Sequence, residues 1–400
     1  MKNISKPHVI TVILLFTLLT SQAFRVVGYL PSYRFSIVNS IDYSKLTHIM
    51  VSFANPDTNG DFSYSQNLTN LVAKAHDKNC DVFISIGGGG LSSAIEDIYI
   101  NRTNVLERPK LINSLMNYVR DNDLDGVDVD LEGGLLSMLT YNDFMLELID
   151  SVHAEGKKIS AAFARWKGGS VNQIVAKSLD FVNMMSYDQT GPWNPSNPGQ
   201  HSPMSQAKDD YAYWVDKGVD SKDVVLGVPF YGYEFKNDNT VAAHTWCTIV
   251  VNYPNNLNDD QVTTPNGVLY YNGKITIATK TQYAIDNAGG IMIWELGQDC
   301  IGVNSLLDVI VDKMEENNMN VSIQETAILE LNIYPNPVQN IINIKGGFSG
   351  SIELYNLMGE QILSGNGGNK HIDLLSLKPG VYIMKFKNNQ GSMTKTIVKK

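Results

Sequence analysis

The segment Leu124–Gly134, LDGVDVDLEGG, places three acids two residues apart. Successive side chains of a β-strand point to opposite faces, so Asp128, Asp130 and Glu132 share one face, and the apolar residues between them share the other. Three carboxylates cannot line a dry core, because burying an unpaired carboxylate is energetically costly. We therefore predict a strand with one face packed on apolar side chains and the other lining a cavity that admits water or a ligand.

The same spacing predicts that the three carboxyl groups are protonated unequally. Neighbours two apart on a strand lie about 6.6 Å from each other. At an effective dielectric constant of about 20, like charges at that distance repel by roughly 2.5 kcal/mol. One carboxyl is then expected to hold a proton near neutral pH while another stays ionised, which prepares a general acid beside a charged partner. This argument does not choose between Glu132 and Asp130.

Two other structures fit part of the segment. Residues 121–132 satisfy the calcium-loop pattern D-x-[DN]-x-[DN]-G-x5-E. That loop needs an apolar residue two positions after Gly126, where Asp128 stands, and a helix after its last acid, where two glycines stand. An edge strand with a solvated acidic face is the second possibility. The alternation of valine and aspartate favours a strand over the loop.

Alternating strands and helices on both sides of this segment predict the fold class. The predicted strands are residues 25–31, 46–54, 82–87, the acidic segment, 158–164, 181–186, 224–230 and 291–295. The predicted helices are residues 67–78, 105–120, 144–153, 204–217, 281–287 and 305–316. Such alternation over residues 24–316 is typical of an α/β fold, the (β/α)8 or TIM barrel.

In such barrels the catalytic residues gather at the C-terminal ends of the strands. Aromatic or polar side chains stand at nearly every predicted strand end: Tyr29, Phe53, Ser85, Glu132, Trp166, Tyr187, Asp188, Tyr231 and Trp294. A single aromatic residue at a strand end is more often part of the core. Several at the same end of successive strands favour a sugar site, because flat aromatic faces suit the apolar faces of sugar rings.

Several motifs resemble those of glycoside hydrolase family 18, the chitinases and their relatives. The acidic segment is similar to the family's Asp-Gly-x-Asp-x-Asp-x-Glu signature. Residues 85–88 (SIGG) resemble its Ser-x-Gly-Gly motif, and residues 185–188 (MSYD) resemble its Met-x-Tyr-Asp motif. Trp294 and Tyr29 are similar to the tryptophan of strand eight and the tyrosine of strand one. The resemblance covers residues 24–315.

This resemblance implies hydrolysis of β-1,4-linked N-acetylglucosamine polymers, with retention and with participation of the substrate's own acetamido group. Glu132 would protonate the glycosidic oxygen, and Asp130 would bind the acetamido N–H. Asp128 would tune the shared proton, and Tyr187 would hold the acetamido oxygen. The implied substrate-binding residues are Tyr29, Phe53, Gly88, Met185, Asp188, Tyr231 and Trp294. A side chain at the glycines of the SIGG motif, Gly87 and Gly88, is expected to crowd the acids. No cofactor and no metal are implied.

One departure from the family concerns the segment between the seventh and eighth strands. Many chitinases of the family carry an α+β domain there, whereas residues 252–266 are predicted here as a loop too short for it. We therefore expect a shallower groove, which leaves open an endo-β-N-acetylglucosaminidase acting on N-glycans or peptidoglycan. A non-catalytic, lectin-like barrel is a further possibility, although lectins of this fold tend to lack the glutamate found at Glu132.

Charge and composition restrict the partners. The 400-residue chain has a formal net charge of −10, and the negative charge lies in residues 24–328 because both ends are net positive. So acidic a segment repels nucleic acid and anionic membranes. It suits a neutral or cationic partner, such as a polysaccharide or oligosaccharide.

The N-terminal residues 1–23 are predicted as a secretory signal peptide, because two lysines precede the apolar run of residues 9–19. No later apolar stretch is long enough for a membrane span. Export permits a disulfide between Cys247 and Cys300 but does not require one. Cys80, at a helix end before a strand, is predicted to be a packed thiol.

The C-terminal residues differ in composition. Residues 317–328 are polar and unpatterned, as in a linker, and residues 329–400 contain short alternating strands that predict a small β-sandwich. The motifs YPNP, LKPGVY and the closing KTIVKK resemble the C-terminal sorting domain of the type IX secretion system. This resemblance implies that the type IX machinery exports the chain, to the medium or the cell surface. A sugar-binding module is the alternative, but no row of exposed aromatic residues is evident.

Overall fold

Parallel strands close into a barrel around the acidic segment. The computed structural model describes residues 24–319, 332–345, 351–356, 361–366, 371–388 and 391–400. The strands up to residue 294 are β1 (Arg25–Pro31), β2 (His48–Pro56), β3 (Phe62–Ser63), β4 (Asp81–Gly87), β5 (Gly126–Asp130), β6 (Lys158–Phe163), β7 (Phe181–Met184), β8 (Val224–Pro229), β9 (Tyr231–Lys236), β10 (Val241–Thr245), β11 (Gln261–Thr264), β12 (Gly267–Tyr270) and β13 (Gly290–Trp294). In the barrel β1 pairs with both β2 and β13, so the parallel sheet is closed. The predicted TIM barrel is confirmed.

The helices of the described residues are α1 (Thr69–His76), α2 (Ser93–Arg102), α3 (Arg108–Asp121), α4 (Tyr141–Ala154), α5 (Gln173–Ser178), α6 (Met204–Asp216), α7 (Trp246–Asn252), α8 (Lys274–Asn287) and α9 (Leu306–Glu316). The helix predicted at 281–287 begins seven residues earlier, at Lys274, because Ile275, Thr276 and Ile277 are β-branched and weaken the helical pattern. Within the described part of the chain, every helix is too short or too polar to cross a membrane.

The acidic strand has two chemically different faces, as its alternation predicts. Val127 and Val129 of β5 pack in the apolar layer between strands and helices. Asp128 instead contacts side chains inside the barrel. The apolar part of that interior consists of Val27, Tyr29, Met50, Phe83, Ala162, Phe181, Val225 and Met292. Each strand therefore contributes alternate residues to two layers, of which only the inner one can reach the mouth of the barrel.

A small antiparallel sheet lies between the seventh and eighth barrel strands, in the order β10-β9-β12-β11. The prediction of a loop over residues 252–266 was therefore wrong for its last part, since β11 begins at Gln261. β11 and β12 have four residues each, and β11 (QVTT) contains one apolar residue, so alternation does not identify it as a strand. Buried Glu234 of β9 holds the sheet together by accepting hydrogen bonds from Thr264 Oγ1 (2.6 Å) and pairing with His244 Nε2 (2.9 Å).

A disulfide joins this insertion to the residues that follow the last barrel strand. Cys247 of α7 and Cys300 form the bond, with their Cα atoms 4.4 Å apart. The pairing that the sequence left open is therefore present in the structure. Cys80 is a buried free thiol, in agreement with its predicted packing role.

The C-terminal region consists of two antiparallel sheets with one shared apolar core. Its strands are β14 (Asn332–Tyr334), β15 (Ile341–Lys345), β16 (Ser351–Asn356), β17 (Gln361–Asn366), β18 (His371–Asp373), β19 (Gly380–Asn388) and β20 (Gly391–Lys399). The sheets β14-β15-β18 and β17-β16-β19-β20 contribute Ile342 and Leu354, respectively, to that core. The predicted sandwich is therefore present. The predicted signal peptide and residues 320–328 of the predicted linker lie outside the described residues.

We predict that His48 makes the barrel sensitive to acid. Burial, and secondarily the charge of Arg25, lower the pKa of His48 to about 3. The unfolded chain therefore binds the extra proton below about pH 6.5, so stability falls from there down to about pH 3, by up to roughly 1.4 kcal/mol per pH unit. In His48→Asn this part of the pH slope should disappear. Unfolding is followed by tryptophan fluorescence in urea, which monitors the barrel because all five tryptophans lie there.

The exposed His371 offers a control, since its ring contacts the amide oxygen of Asn343 rather than a carboxylate. His371→Asn should keep the slope of the parent protein. An unchanged slope in His48→Asn would assign the acid sensitivity to other groups.

Candidate active site

Asp128 lies inside the barrel with no exposed surface, and four neighbours donate hydrogen bonds to it. Tyr29 Oη (2.7 Å) and Ser85 Oγ (2.6 Å) donate to one carboxyl oxygen. Ser160 Oγ (2.6 Å) and Asn183 Nδ2 (3.2 Å) donate to the other. Burial raises the pKa of Asp128, and these hydrogen bonds act in the opposite direction. This carboxyl is fully occupied by protein donors and has no oxygen left for a ligand.

Asp130, two residues further along β5, is also buried but is far less well satisfied. Its Oδ1 has no hydrogen-bond partner among the described residues. Burial raises the pKa of Asp130 well above its usual value, and the charges of Glu132 and Asp128 raise it further. The raised pKa agrees in direction with the unequal protonation expected from sequence. Its largest cause, however, is burial rather than the repulsion between neighbours.

Glu132 follows the end of β5 and is partly exposed, so it is the member of the row that solvent or a ligand can reach. Burial, and then the charge of Asp188, raise the pKa of Glu132. The three acids therefore run from the closed interior at Asp128 to the open mouth at Glu132. An acid that keeps its proton at the open end of such a row can donate it to a bound molecule.

Tyr187 and Asp188 follow β7, next to this row. The Tyr187 hydroxyl contacts Met292 Sδ at 3.8 Å, a weak acceptor. Burial and the nearby acids, Asp130 first, raise the pKa of Tyr187 well above its usual value, so its hydroxyl stays a donor. Asp188 has a left-handed backbone (φ 62°) and accepts a hydrogen bond from Tyr231 Oη at 2.6 Å. A donor and a carboxylate thus flank the acid row.

Aromatic side chains form a second part of the mouth. The Trp294 ring stacks on Phe53 (6.1 Å between centres, 24° between planes) and tilts against Tyr29 at 5.5 Å. The Ser52–Phe53 and Trp294–Glu295 peptide bonds are cis. Met185 packs against the same interior cluster as Trp294. These rings give the mouth a flat apolar surface next to the acid row, since Tyr29 also binds Asp128, and such a surface suits a sugar ring.

Three consecutive glycines at the end of β4, Gly87 to Gly89, leave room for these groups. An added Cβ at Gly87 would lie 2.3 Å from the Asp130 carbonyl oxygen, and one at Gly89 would lie 3.0 Å from Glu132 Oε1. At Gly88 the added Cβ would instead meet the Phe53 ring at 2.6 Å. The expected crowding of the acids is therefore found at Gly87 of the SIGG motif, whereas Gly88 makes room for Phe53 and the following Gly89 makes room for Glu132.

Several residues at this site are not among the predicted ones. Ser160 and Asn183 bind Asp128, and Asn183 has a recoverable signal, since it stands two residues before Met185 on the inward face of β7. His201 is fully buried with Nδ1 3.4 Å from Asp188 Oδ1, and no local pattern marks it. Trp193 is 58% exposed and packs edge-on against Tyr233. Trp166, which the sequence places at a strand end, is 72% exposed.

In the described residues, no group of three or more His, Cys, Asp or Glu side chains is arranged to hold a metal ion. The calcium-loop interpretation of residues 121–132 also fails on geometry. Asp121 is the last residue of α3, and Gly126 is the first residue of β5. Asp125 between them accepts hydrogen bonds from Val82 N and pairs with His76. The segment is a helix end followed by a strand rather than one continuous loop.

Comparison with known families agrees with this geometry. The family described as Glycosyl hydrolases family 18 matches residues 25–299. The chain belongs to this family. The description Secretion system C-terminal sorting domain matches residues 332–400, the region of the β-sandwich. Both resemblances in the sequence are therefore confirmed.

Individual proteins give the same picture. The crystal structure of a GH18 chitinase, ChiB, from the chitin utilization locus of Flavobacterium johnsoniae is 36% identical, with a TM-score of 0.70 over 75% of this chain and 96% of that one. A Penicillium expansum protein named secreted chitinase LysM12 is 29% identical over 53% of this chain. The matched part is only 16% of the fungal protein's own length. Human chitinase-3-like protein 2 is 24% identical over 72% of this chain and 90% of its own length.

We predict that Gly87→Ala destabilises the family 18 barrel by roughly 2 kcal/mol more than Gly90→Ala does. Both glycines have positive φ (97° and 73°), so both alanines are strained. Only the Gly87 Cβ also meets the backbone of Asp130, whereas the Gly90 Cβ would have nothing within 4 Å. The free energy of unfolding in urea measures both effects, with Gly90→Ala as the control for φ alone. Equal losses would show that the strand β5 moves away at little cost.

Proposed function

We propose that the chain is a secreted, retaining chitinase that hydrolyses β-1,4-linked N-acetylglucosamine polymers and oligosaccharides. The observation that carries this proposal is the graded row of acids, buried at Asp128 and open at Glu132, with Tyr187 beside it. Membership of family 18 and similarity to a bacterial chitinase support the same reaction. Most glycosidases use a second carboxylate as nucleophile, and enzymes of this family instead use the substrate's acetamido group.

In the proposed reaction the first step breaks the glycosidic bond. Glu132 gives its proton to the glycosidic oxygen, and the acetamido carbonyl oxygen attacks C1 to form a cyclic oxazolinium ion. Tyr187 donates a hydrogen bond to the acetamido oxygen. Asp130 accepts one from the acetamido N–H, for which its unpaired Oδ1 is suited. Asp128, fixed by four donors, tunes the proton of the row.

In the second step water opens the oxazolinium ion at C1, and the Glu132 carboxylate takes the proton of that water. Two inversions at C1 leave the product with the configuration of the substrate. The face made by Trp294 and Phe53 would support the sugar ring while its geometry changes. Tyr29 and Tyr231 would act indirectly, since their hydroxyls bind Asp128 and Asp188, respectively.

The C-terminal region completes the proposal. Because residues 332–400 match a secretion sorting domain, we propose export through the type IX secretion machinery to the medium or the cell surface. The partners are then an extracellular polysaccharide or oligosaccharide and the exporter itself. The expectation of a shallow groove, which motivated N-glycans or peptidoglycan as substrates, is weakened by the antiparallel sheet found beside β8. Those substrates remain as the comparison set of the experiment below.

We predict that Glu132→Gln lowers kcat on N-acetylglucosamine oligosaccharides by at least about 100-fold, because the amide cannot donate a proton as the acid does. The amide keeps the shape of the side chain, so folding should be intact. The test measures initial rates and product profiles on defined oligosaccharides, and in parallel on a glycopeptide and a peptidoglycan fragment. Glu315→Gln, at an exposed position of α9, is the control and should keep full activity.

Each possible result separates the candidate functions. Cleavage of the glycopeptide or peptidoglycan in preference to the oligosaccharides would change the assigned substrate from chitin to N-glycans or peptidoglycan. Sugar binding without turnover in the parent protein would favour the lectin-like barrel. Retention of most activity in Glu132→Gln would remove that residue from the role of acid.

We also predict that Asp188→Asn shifts the alkaline limb of the kcat/KM–pH profile to lower pH. The charge of Asp188 helps to raise the pKa of Glu132, and the protonated form of Glu132 is the active one. Losing the charge lowers that pKa, so the proton is lost earlier as the pH rises. Asp312→Asn, an exposed change on α9, is the control for loss of one negative charge. An unchanged alkaline limb in Asp188→Asn would mean that another group determines the pH at which activity is lost.

A further inference from the structure

Lys280 of α8 is completely buried, outside the acid row, and the mechanism above does not use it. Its ammonium donates three hydrogen bonds, to the Ser202 carbonyl oxygen (2.7 Å), to Ser202 Oγ (2.6 Å) and to Asn272 Oδ1 (2.7 Å). An ammonium has three donors, so all of them are satisfied, and none of the acceptors is a carboxylate. A buried charge without a direct counter-ion is costly, which indicates that the lysine serves a specific arrangement.

The contacts of Lys280 fix the direction of the next hydrogen bond. Because the ammonium can only donate, Ser202 Oγ must accept from it and use its own proton elsewhere. That proton goes to the carbonyl oxygen of Ser186 at 2.6 Å. Asn272 Nδ2 also donates to the Ser202 carbonyl oxygen at 3.0 Å. Ser202 is thus held from two sides and in turn holds Ser186, the residue before Tyr187.

The neighbour of Ser202 contacts the residues after Tyr187. The carbonyl oxygen of His201 accepts a hydrogen bond from the backbone N–H of Gln189 at 2.9 Å. The His201 ring lies 3.4 Å from Asp188 Oδ1 and 3.3 Å from the Tyr231 carbonyl oxygen. The two-residue segment 201–202 therefore contacts the chain on both sides of Tyr187. Both residues of the segment are fully buried.

We propose that Lys280, Asn272 and Ser202 form a buried anchor that positions Tyr187 and Asp188 at the mouth of the barrel. Lys280 is then a positioning residue for the reaction, acting through Ser202 on Ser186 and through His201 on Asp188. Its part in catalysis rests on the proposed function. The anchor itself does not, because it can be measured as backbone protection in the absence of any sugar.

The electrostatics of the anchor set the pH range in which it is complete. Burial lowers the pKa of Lys280 to about 7, against the charges of Asp260 and Asp210, so all three donors are present below that pH. Asp210 belongs to α6 and accepts from Ser186 Oγ at 2.9 Å, so Ser186 is bound through both its side chain and its carbonyl group. Asp260 faces the lysine from the insertion between β10 and β11. Of these two acids, Asp210 contacts the Tyr187 segment directly, through Ser186.

Three variants test the anchor. Lys280→Met keeps most of the volume and removes the donors. Ser202→Ala removes the bond to Ser186 together with one of the three acceptors of Lys280. Thr281→Val is the matched control, since Thr281 is equally buried on α8 but bonds within its own helix, to the Ile277 carbonyl oxygen at 2.8 Å. The primary measurement is hydrogen–deuterium exchange of the peptide spanning residues 185–190 in the sugar-free protein.

Exchange in residues 185–190 should rise about tenfold in Lys280→Met and in Ser202→Ala, the change expected for loss of one buried hydrogen bond, and stay unchanged in Thr281→Val. The kcat/KM on N-acetylglucosamine oligosaccharides should fall about tenfold or more in the first two. Their alkaline limb should also move to lower pH, because Asp188 no longer stays beside Glu132. A loss of stability alone would not move that limb.

The results separate the anchor from the proposed function. Unchanged exchange at residues 185–190 in a folded Lys280→Met protein overturns the anchor, whatever the kinetics show. Raised exchange in a protein without any hydrolytic activity supports the anchor and rejects the chitinase. If Lys280→Met does not fold, Ser202→Ala decides, since it leaves the ammonium two of its three acceptors. In the double variant, exchange no higher than in either single variant supports one shared path, and additive effects overturn it.

Discussion

Burial of a carboxyl group inside the barrel is the constraint on which the rest of the site depends. Asp128 has no contact with solvent, so its oxygens must be satisfied by protein donors, and these come from four different strands. Tyr29 lies on β1, Ser85 on β4, Ser160 on β6 and Asn183 on β7. One side chain thus fixes the positions of these four strands relative to β5 along the barrel axis. That fixed base sets where the next two acids of the row emerge.

The mouth is supported from two sides by buried charge. From the interior, the Asp128 network holds β5 and therefore Asp130 and Glu132. From outside the barrel, Lys280 holds the segment that carries Tyr187. In both places the hydrogen-bond partners of the charged group are neutral, and no direct counter-ion is present in the described part of the structure. Such networks fix the orientation of the groups that they bind more than they add to the stability of the fold. The two supports meet where the acetamido group of a substrate would sit.

Short-range patterns in the sequence account for the barrel and for most of the acid row. Alternation of period two places Asp128, Asp130 and Glu132 on one face, and the same rule would have revealed Asn183. The anchor could not be predicted in this way, because Lys280 and Ser202 are 78 residues apart and neither stands in a periodic pattern. The contact of Gly88 with Phe53 could not be predicted for a similar reason, since Phe53 belongs to another strand. Contacts between distant polar residues are fixed by tertiary packing alone.

The bond between Cys247 and Cys300 makes a covalent ring of the chain between them, which includes β11, β12, α8 and β13. A cut by an extracellular protease inside that ring would leave both pieces attached until a reductant opened it. Outside the cell, where such cuts are common, the lysine anchor on α8 and the tryptophan at the end of β13 would remain tethered to the same molecule. The crosslink therefore protects the connectivity of the mouth as well as its shape.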